Sequence, residues 1–268
     1  MKSHIIVQLF LDLTMNKVSN AGENWGNYYK SKNIDWVNKQ KKDSRYFEDL
    51  IKSDYGKILI HCIKFLDKNQ QIKILEAGCG VGEMAISLSM NYNVKAFDYN
   101  KKALEICNKL NNVLNKKIVL YTDDLLDLKI EKEKYNFIYN QAVLEYFTHE
   151  EKLLCIKNLK KILKEEGIIV VVCQNTNNAR NKNDFTNQPI VYNCDLDYIK
   201  KLFTKNNFEI LYSDGLYTSK VFTNFLLPKF INEKIKYYLW KIIDRLYFPS
   251  FIRRKYNLQF VVCAKILK

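Results

Sequence analysis

Residues 74–88 read ILEAGCGVGEMAISL: an apolar run, a turn carrying Gly78, Gly80 and Gly82, and a second apolar run at helical spacing. Only eight glycines occur in 268 residues, so three within five positions need a reason. Glycine lets a backbone turn sharply and approach a ligand closely, because no Cβ intervenes. The helix that follows offers unpaired N–H groups to that ligand. The spacing is G-x-G-x-G with Glu83 next, so the dinucleotide pattern G-x-G-x-x-G fails. An acidic Glu83 at a helix start repels a pyrophosphate, and Glu76 at the strand end suits a ligand with a positive charge.

Outward from this turn, strand-length apolar runs alternate with helical patterns. The expected strands are Ile72–Glu76, Val94–Phe97, Lys117–Thr122, Asn136–Tyr139, Ile168–Cys173, Phe208–Tyr212 and Gln259–Ala264. Most are continuously apolar, as strands covered on both faces must be. KKALEICNKLNNVL and HEEKLLCIKNLKKILKEE place apolar residues three and four apart, the period of a helix. Strand–helix alternation predicts a mostly parallel sheet with helices on both faces. Residues 1–70 read as helical, with RYFEDLIKSDYGKILIHCIKFLDKN leading into the first strand.

Acidic residues recur at the expected strand ends. Asp98 closes VKAFD, 18 residues after Gly80, where a carboxylate can hold vicinal ribose hydroxyls; capping the next helix is its other reading. Tyr99 can lie against a purine or pack in the core. In TDDLLDL, Asp123 or Asp124 can accept from an exocyclic amine, and the NFIY run ends at Asn140.

These segments, in this order, resemble the class I S-adenosylmethionine-dependent methyltransferases over roughly 72–212, with a last strand at 259–266. The resemblance implies an α/β fold with a doubly wound, mostly parallel seven-stranded sheet whose last strand is antiparallel. It also implies S-adenosylmethionine as cofactor; with only three histidines, His4, His61 and His149, no metal is expected. Glu76, Gly78, Cys79, Gly80 and Gly82 would surround its methionine part. Asp98 would hold the ribose, Tyr99 would flank the adenine, Asp124 with Leu125 beside it would meet the adenine amine, and Asn140 would lie by the sulfonium. In VLEYF, Tyr146 stands where that family often has histidine after glutamate. Tyr146 and His149 are the catalytic candidates; His149 also reads as a solvated helix-start residue, and Glu145 as support for the loop.

The acceptor is less legible. Asn140-Gln141-Ala142-Val143 lacks the Pro-Pro-aromatic run of base-amine methyltransferases, and no proline precedes a cysteine. A small-molecule or lipid- or sugar-linked acceptor is therefore expected, with oxygen ahead of nitrogen. RNA methylation and cofactor binding without catalysis are the rival readings.

The charge is uneven. Of 43 Lys+Arg and 29 Asp+Glu, residues 71–170 hold 15 and 14, whereas 216–268 hold 11 and 2 along with 12 of the 36 aromatics. Lysines outnumber arginines 38 to 5, although arginine is the better fork for phosphate and guanine, which disfavours nucleic acid as partner. The expected organisation is an N-terminal helical extension over 1–70 that covers the cofactor, with Trp25, Tyr28, Tyr29 and Trp36 in its leader. A cofactor-binding domain follows over 71–215, then a basic, aromatic-rich helical lid over 216–257 and the last strand over 258–268.

In the lid, Ile231, Ile235, Tyr238, Leu239, Ile242 and Leu246 share one helical face, while Lys229, Lys234, Lys236, Lys241 and Arg245 look elsewhere with Tyr237 and Trp240. Packing on the domain and contact of 229–256 with an anionic membrane both fit that pattern. Seven scattered cysteines without a C-x-x-C pair predict reduced thiols. Gln8 and Asp12 break the apolar start, so no signal peptide is expected and either Met1 or Met15 serves as start. A cytoplasmic location follows, with the inner membrane face as the surface the lid could touch.

Overall fold

A computed structural model of the chain describes residues 45–67, 70–130, 133–177, 192–216, 249–255 and 257–267, together with positions 37 and 235. Trp25, Tyr28, Tyr29, Trp36 and all of the 217–248 segment except Ile235 lie outside the described residues.

Within the described residues 45–67 the chain forms two helices, α1 (Arg45–Lys52) and α2 (Asp54–Ile63). Ser53 separates them, and its hydroxyl accepts the Gly56 N–H at 3.1 Å, an N-cap that starts a fresh helix. Then follow β1 (Lys73–Ala77), α3 (Glu83–Leu88), β2 (Asn93–Asp98), α4 (Lys101–Val113), β3 (Val119–Thr122), β4 (Tyr135–Gln141), α5 (His149–Ile162), β5 (Leu163–Gln174), α6 (Leu196–Lys205), β6 (Phe208–Leu216), α7 (Ser250–Lys255) and β7 (Gln259–Ile266).

The seven strands form one sheet in the order β3-β2-β1-β4-β5-β7-β6. β1 to β5 run parallel, and β7 lies between β5 and β6, antiparallel to both. The sheet thus winds outward in two directions from the β1/β4 junction. Ligands of such sheets bind where the carboxyl ends of the strands diverge at that junction.

Alternation along each strand feeds two apolar layers. Ile74, Val94, Phe137, Tyr139 and Val170 belong to one, and Leu75, Phe97, Ile138, Ile169 and Val171 to the other. The second layer includes Cys155, Ile156 and Leu159 of α5 and Ile199 and Phe203 of α6, all wholly buried. Burying such a side chain contributes roughly 1.5–3 kcal/mol. All seven cysteines are buried. Among the described residues no helix is long and apolar enough to cross a membrane.

Two strand boundaries differ from expectation by more than two residues. The helical pattern continuing through Lys164-Glu165-Glu166 stops at Ile162, and β5 begins at Leu163, which pairs with Tyr135. Leu163 turns extended (φ −81°, ψ 138°) and is 1 % exposed, so leaving the helix keeps consecutive Ile162 and Leu163 both inside. β6 likewise runs on through Ser213-Asp214-Gly215-Leu216, paired with β7. Buried Asp214 is held there by Arg253, whose Nε donates at 2.9 Å. One of the basic residues of 216–257 therefore faces the sheet.

Candidate active site

The glycine turn is built on left-handed backbone. Gly78, Gly80 and Gly82 have φ of 78°, 54° and 72°, a region that costs other L-residues about 1–2 kcal/mol. The Gly78 and Cys79 N–H groups both donate to the Phe97 carbonyl at 2.9 Å, folding the turn over the end of β2. A Cβ on Gly78 would stand 2.8 Å from Val143 Cγ2, and one on Gly82 would stand 2.2 Å from Cys107 Sγ. Gly82 is thus required by packing against α4 as well as by its backbone angle. The neighbouring Cys107 thiol and burial hold the Cys79 thiol well above its ordinary pKa.

Glu76 leaves the end of β1 and accepts the Ala85 N–H on Oε2 at 2.9 Å. That amide belongs to the first turn of α3, whose positive end favours a carboxylate. Burial nevertheless pushes Glu76 up to about 8. Glu83 turns the other way and accepts a hydrogen bond from the Tyr46 hydroxyl on α1, which fastens the N-terminal helices to the turn.

Asp98 is 6 % exposed. Its Oδ2 accepts the Gly80 N–H at 2.7 Å and its Oδ1 the Asn100 N–H at 2.8 Å; burial raises its pKa. The helix-cap reading of Asp98 does not hold, because Asn100 caps α4, its Oδ1 accepting from Lys102 N–H and Ala103 N–H. Tyr99 is 49 % exposed. Its hydroxyl is pushed up to about 12, first by burial and then by the Asp98 and Asp124 carboxylates.

The two adjacent aspartates after β3 divide their work. Asp123 is buried and accepts the N–H groups of Asp124, Lys129 and Ile130, so it organises the loop. Asp124 is exposed and accepts from the Leu126 N–H at 2.9 Å, while Leu125 is 5 % exposed. Of the pair, Asp124 is the carboxylate whose side chain is open to the outside of the loop.

At the end of β4, Asn140 is 0 % exposed. Neither its Oδ1 nor its Nδ2 has a hydrogen-bond partner among the described residues. Leaving a buried polar group unpaired costs about 1–3 kcal/mol, and Val143, three residues on, is the residue that presses against Gly78. Tyr146 is half-buried in a short turn, Leu144–Tyr146, and burial holds its hydroxyl well above the ordinary range. His149 is the exposed first residue of α5, its Nδ1 paired with the Tyr198 hydroxyl at 2.8 Å.

Two charged residues stand out that the sequence did not single out as functional. Glu145 is 0 % exposed; one oxygen accepts the Gln174 N–H at 3.2 Å and the other has no partner among the described residues. Lys152 is 1 % exposed and its Nζ donates to the carbonyls of Phe147 (2.6 Å) and Asn193 (3.3 Å). A sequence signal existed for Lys152: it lies three, four and seven residues before Cys155, Ile156 and Leu159, on the apolar stripe of α5.

Residues 74–167 match the family model of a methyltransferase domain. A malonyl-[acyl-carrier protein] O-methyltransferase of Bacillus anthracis is 29% identical over 105 residues, 38% of this chain and 37% of that protein. An uncharacterised protein of Haemophilus influenzae is 27% identical over 106 residues, 38% of this chain and 42% of its own length. The chain thus spans about two fifths of the curated relatives it matches.

Among solved structures, an S-adenosylmethionine-dependent methyltransferase of Clostridium acetobutylicum superposes with a TM-score of 0.57 at 14% identity, covering 85% of this chain and 98% of that one. Magnesium protoporphyrin IX methyltransferase of Synechocystis with bound cofactor gives 0.53 at 16% identity, covering 92% and 90%. Residues 74–167 thus match a methyltransferase domain, and the seven-stranded sheet in the order β3-β2-β1-β4-β5-β7-β6 gives the chain the fold of these S-adenosylmethionine-dependent methyltransferases.

Proposed function

We propose that this chain transfers the methyl group of S-adenosylmethionine to a small-molecule or lipid- or sugar-linked acceptor, with oxygen ahead of nitrogen as the accepting atom. The observation that carries the reading is Asn140: a fully buried amide with both polar atoms unpaired among the described residues, next to a glycine turn. A bound ligand that offers both a donor and an acceptor removes that cost. The surrounding carboxylates Glu76, Asp98 and Asp124 suit a cationic nucleoside and repel a pyrophosphate.

In this reading Glu76, Gly78, Cys79, Gly80 and Gly82 surround the methionine part of the cofactor. Asp98 has acceptor capacity beyond its two backbone N–H groups for ribose hydroxyls. Tyr99 flanks the adenine, Asp124 and Leu125 meet its edge, and Asn140 lies by the sulfonium. The cofactor supplies a methyl carbon on a good leaving group, so the chain's task is to align the acceptor and exclude water.

The domain boundaries at 70, 215 and 257 belong to the same proposal, with 1–70 as a cofactor cover and 216–257 as a lid. The Tyr46–Glu83 hydrogen bond supports the cover. Phe251, 72 % exposed beside Arg254 and Lys255, supports peripheral contact of the lid with an anionic membrane. Co-sedimentation with anionic vesicles but not neutral ones, weakened by salt, is the expected result.

The main test supplies methyl-labelled S-adenosylmethionine and cell extract, then separates lipid, sugar, small-molecule, protein and RNA fractions. Label in the lipid, sugar or small-molecule fraction supports the proposal. Label in RNA favours the first rival, and cofactor binding without transfer to any fraction favours a binding protein on this fold.

A further inference from the structure

The buried carboxyl of Glu145 is not accounted for by support of its loop. One oxygen, Oε1, accepts the Gln174 N–H at the carboxyl end of β5, and the Glu145 carbonyl accepts the Tyr192 N–H at 2.8 Å. Those contacts fix the residue. Oε2 remains buried without a hydrogen-bond partner among the described residues. An amide in its place would accept the same Gln174 N–H without leaving a second acceptor oxygen unpaired in the interior.

Its position is informative. Glu145 follows Asn140 by five residues, past the Val143 contact with Gly78, at the carboxyl ends of β4 and β5. This is the side of the sheet that holds the glycine turn and the unpaired amide of Asn140. Two unsatisfied buried groups therefore stand on one short segment, and both hold acceptor oxygens. A partner for Glu145 Oε2 must be a hydrogen-bond donor.

The groups facing Glu145 come from each neighbouring element. They are the Lys152 ammonium on α5, the Cys173 thiol on β5 with Cys194 beside it, and the Tyr146 phenol on its own turn. Lys152 forms no ion pair with Glu145, since its Nζ is turned to the carbonyls of Phe147 and Asn193. Burial, the dominant influence, raises Glu145 to about 7, opposed in turn by its own N–H, the Gln174 N–H, the Lys152 ammonium and the Cys173 thiol. A proton acceptor serves a reaction best when its pKa lies near the working pH.

Resting on the methyl-transfer reading above, we infer that Glu145 is a catalytic residue whose unpartnered Oε2 takes the proton of the acceptor's O–H or N–H, so that the acceptor is a neutral hydroxyl or amine and not a carboxylate. The acceptor's lone pair forms the new bond to the methyl carbon while the sulfur–carbon bond breaks, its electron pair staying on sulfur. The acceptor's proton passes to the Glu145 carboxylate. Charge balances, because one sulfonium and one carboxylate are lost as a thioether and a carboxylic acid form. A carboxylate acceptor needs no base, and it would set two anions together in a buried site, which is strongly unfavourable.

Two measurements test this. In the chain without cofactor, carbon-13 NMR of glutamate carboxyls is expected to show a resonance raised by burial to titrate near pH 7, and missing in Glu145→Gln. A Glu145 resonance with the ordinary midpoint of a surface glutamate overturns the inference.

The second measurement uses methyl-tritiated S-adenosylmethionine with the small-molecule, lipid and sugar fractions of a cell extract. Label transferred by the native chain is expected to survive mild alkali, since ethers and amines do and methyl esters release volatile methanol. Glu145→Gln is expected to lower incorporation about 100-fold or more, with calorimetric affinity for S-adenosylmethionine kept and the rise in rate between pH 6 and 8 flattened. Glu145→Asp restores part of the rate. Gln retains an oxygen for the Gln174 N–H, so the fold survives, and unfolding temperature verifies it. Alkali-volatile label, or an undiminished Glu145→Gln rate, overturns the inference alone. A native chain that binds no cofactor, or transfers no label, overturns the methyl-transfer reading itself.

Discussion

The Gly80 N–H donates to Asp98 Oδ2 at 2.7 Å, so the glycine turn after β1 and the end of β2 are a single hydrogen-bonded unit. Asp98 thereby does two jobs. It holds a left-handed glycine in place from below, and it retains acceptor capacity on a nearly buried carboxylate for whatever lies above the turn.

Replacing Asp98 with Ala removes the acceptor for both the Gly80 and Asn100 N–H groups. Hydrogen bonds to a charged group contribute about 1.5–3 kcal/mol each, so a measurable fall in unfolding temperature is expected. S-adenosylmethionine affinity falls further, by at least about 100-fold, in calorimetry. Gly80→Arg abolishes binding as well, because an L-residue at φ 54° reshapes the turn. Native affinity in both variants would refute the placement of the cofactor.

The adjacent aspartates after β3 differ in burial, and the proposed cofactor contact falls to the exposed one, Asp124. Asp123→Ala leaves three loop N–H groups without their acceptor and is expected to lower stability by about 2–3 kcal/mol in urea unfolding. Asp124→Ala touches an exposed side chain, so stability changes by less than about 0.5 kcal/mol. Only Asp124→Ala should weaken cofactor binding while the fold is intact. Reversed sensitivities would assign the adenine contact to Asp123.

The central strands were legible because wholly covered strands are continuously apolar: Ile168–Cys173 and Phe260–Ala264 contain no polar interruption that period or composition could misread. Strand ends were less legible because their reasons are distant. Ser213-Asp214-Gly215 reads as a loop until Arg253, 39 residues later, pairs with Asp214. The Asp98 reading was half visible: its place at the strand end follows from spacing, but Asn100 taking the helix cap depends on the backbone path at β2. Glu145 reads as an ordinary loop carboxylate because its burial comes from β5 and the stretch before α6, neither of which is near it in sequence.

Gly82 offers a packing test. Gly82→Ala places a Cβ 2.2 Å from Cys107 Sγ at φ 72°, and such strain costs of order 1–3 kcal/mol before any clash. Removing the sulfur as well, in Gly82→Ala/Cys107→Ala, leaves the Cys107 Cβ position 3.5 Å away, an ordinary contact. The double variant should therefore recover the steric part of the loss but not the backbone part. Additive losses in denaturant unfolding would show that Cys107 is not what excludes a side chain at this position.

Glu76 shares the site's pH dependence with Glu145. Burial raises its folded pKa to about 8 from 4.5, so the folded chain holds a proton that the unfolded chain releases. The stability linked to this group is fully present below about pH 4.5 and is lost as pH rises through about 8. The unliganded chain should therefore unfold more readily at pH 8 than at pH 6, and Glu76→Gln should flatten that slope. A cationic ligand reverses the trend by favouring the carboxylate. S-adenosylmethionine binding is expected to release a proton and to tighten as pH rises from 6 to 8. Calorimetry in buffers of different ionisation enthalpy measures that proton directly. Binding without proton release at pH 7, or an unchanged slope in Glu76→Gln, would show that Glu76 is already ionised in the unliganded site and that its role is confined to holding the Ala85 N–H.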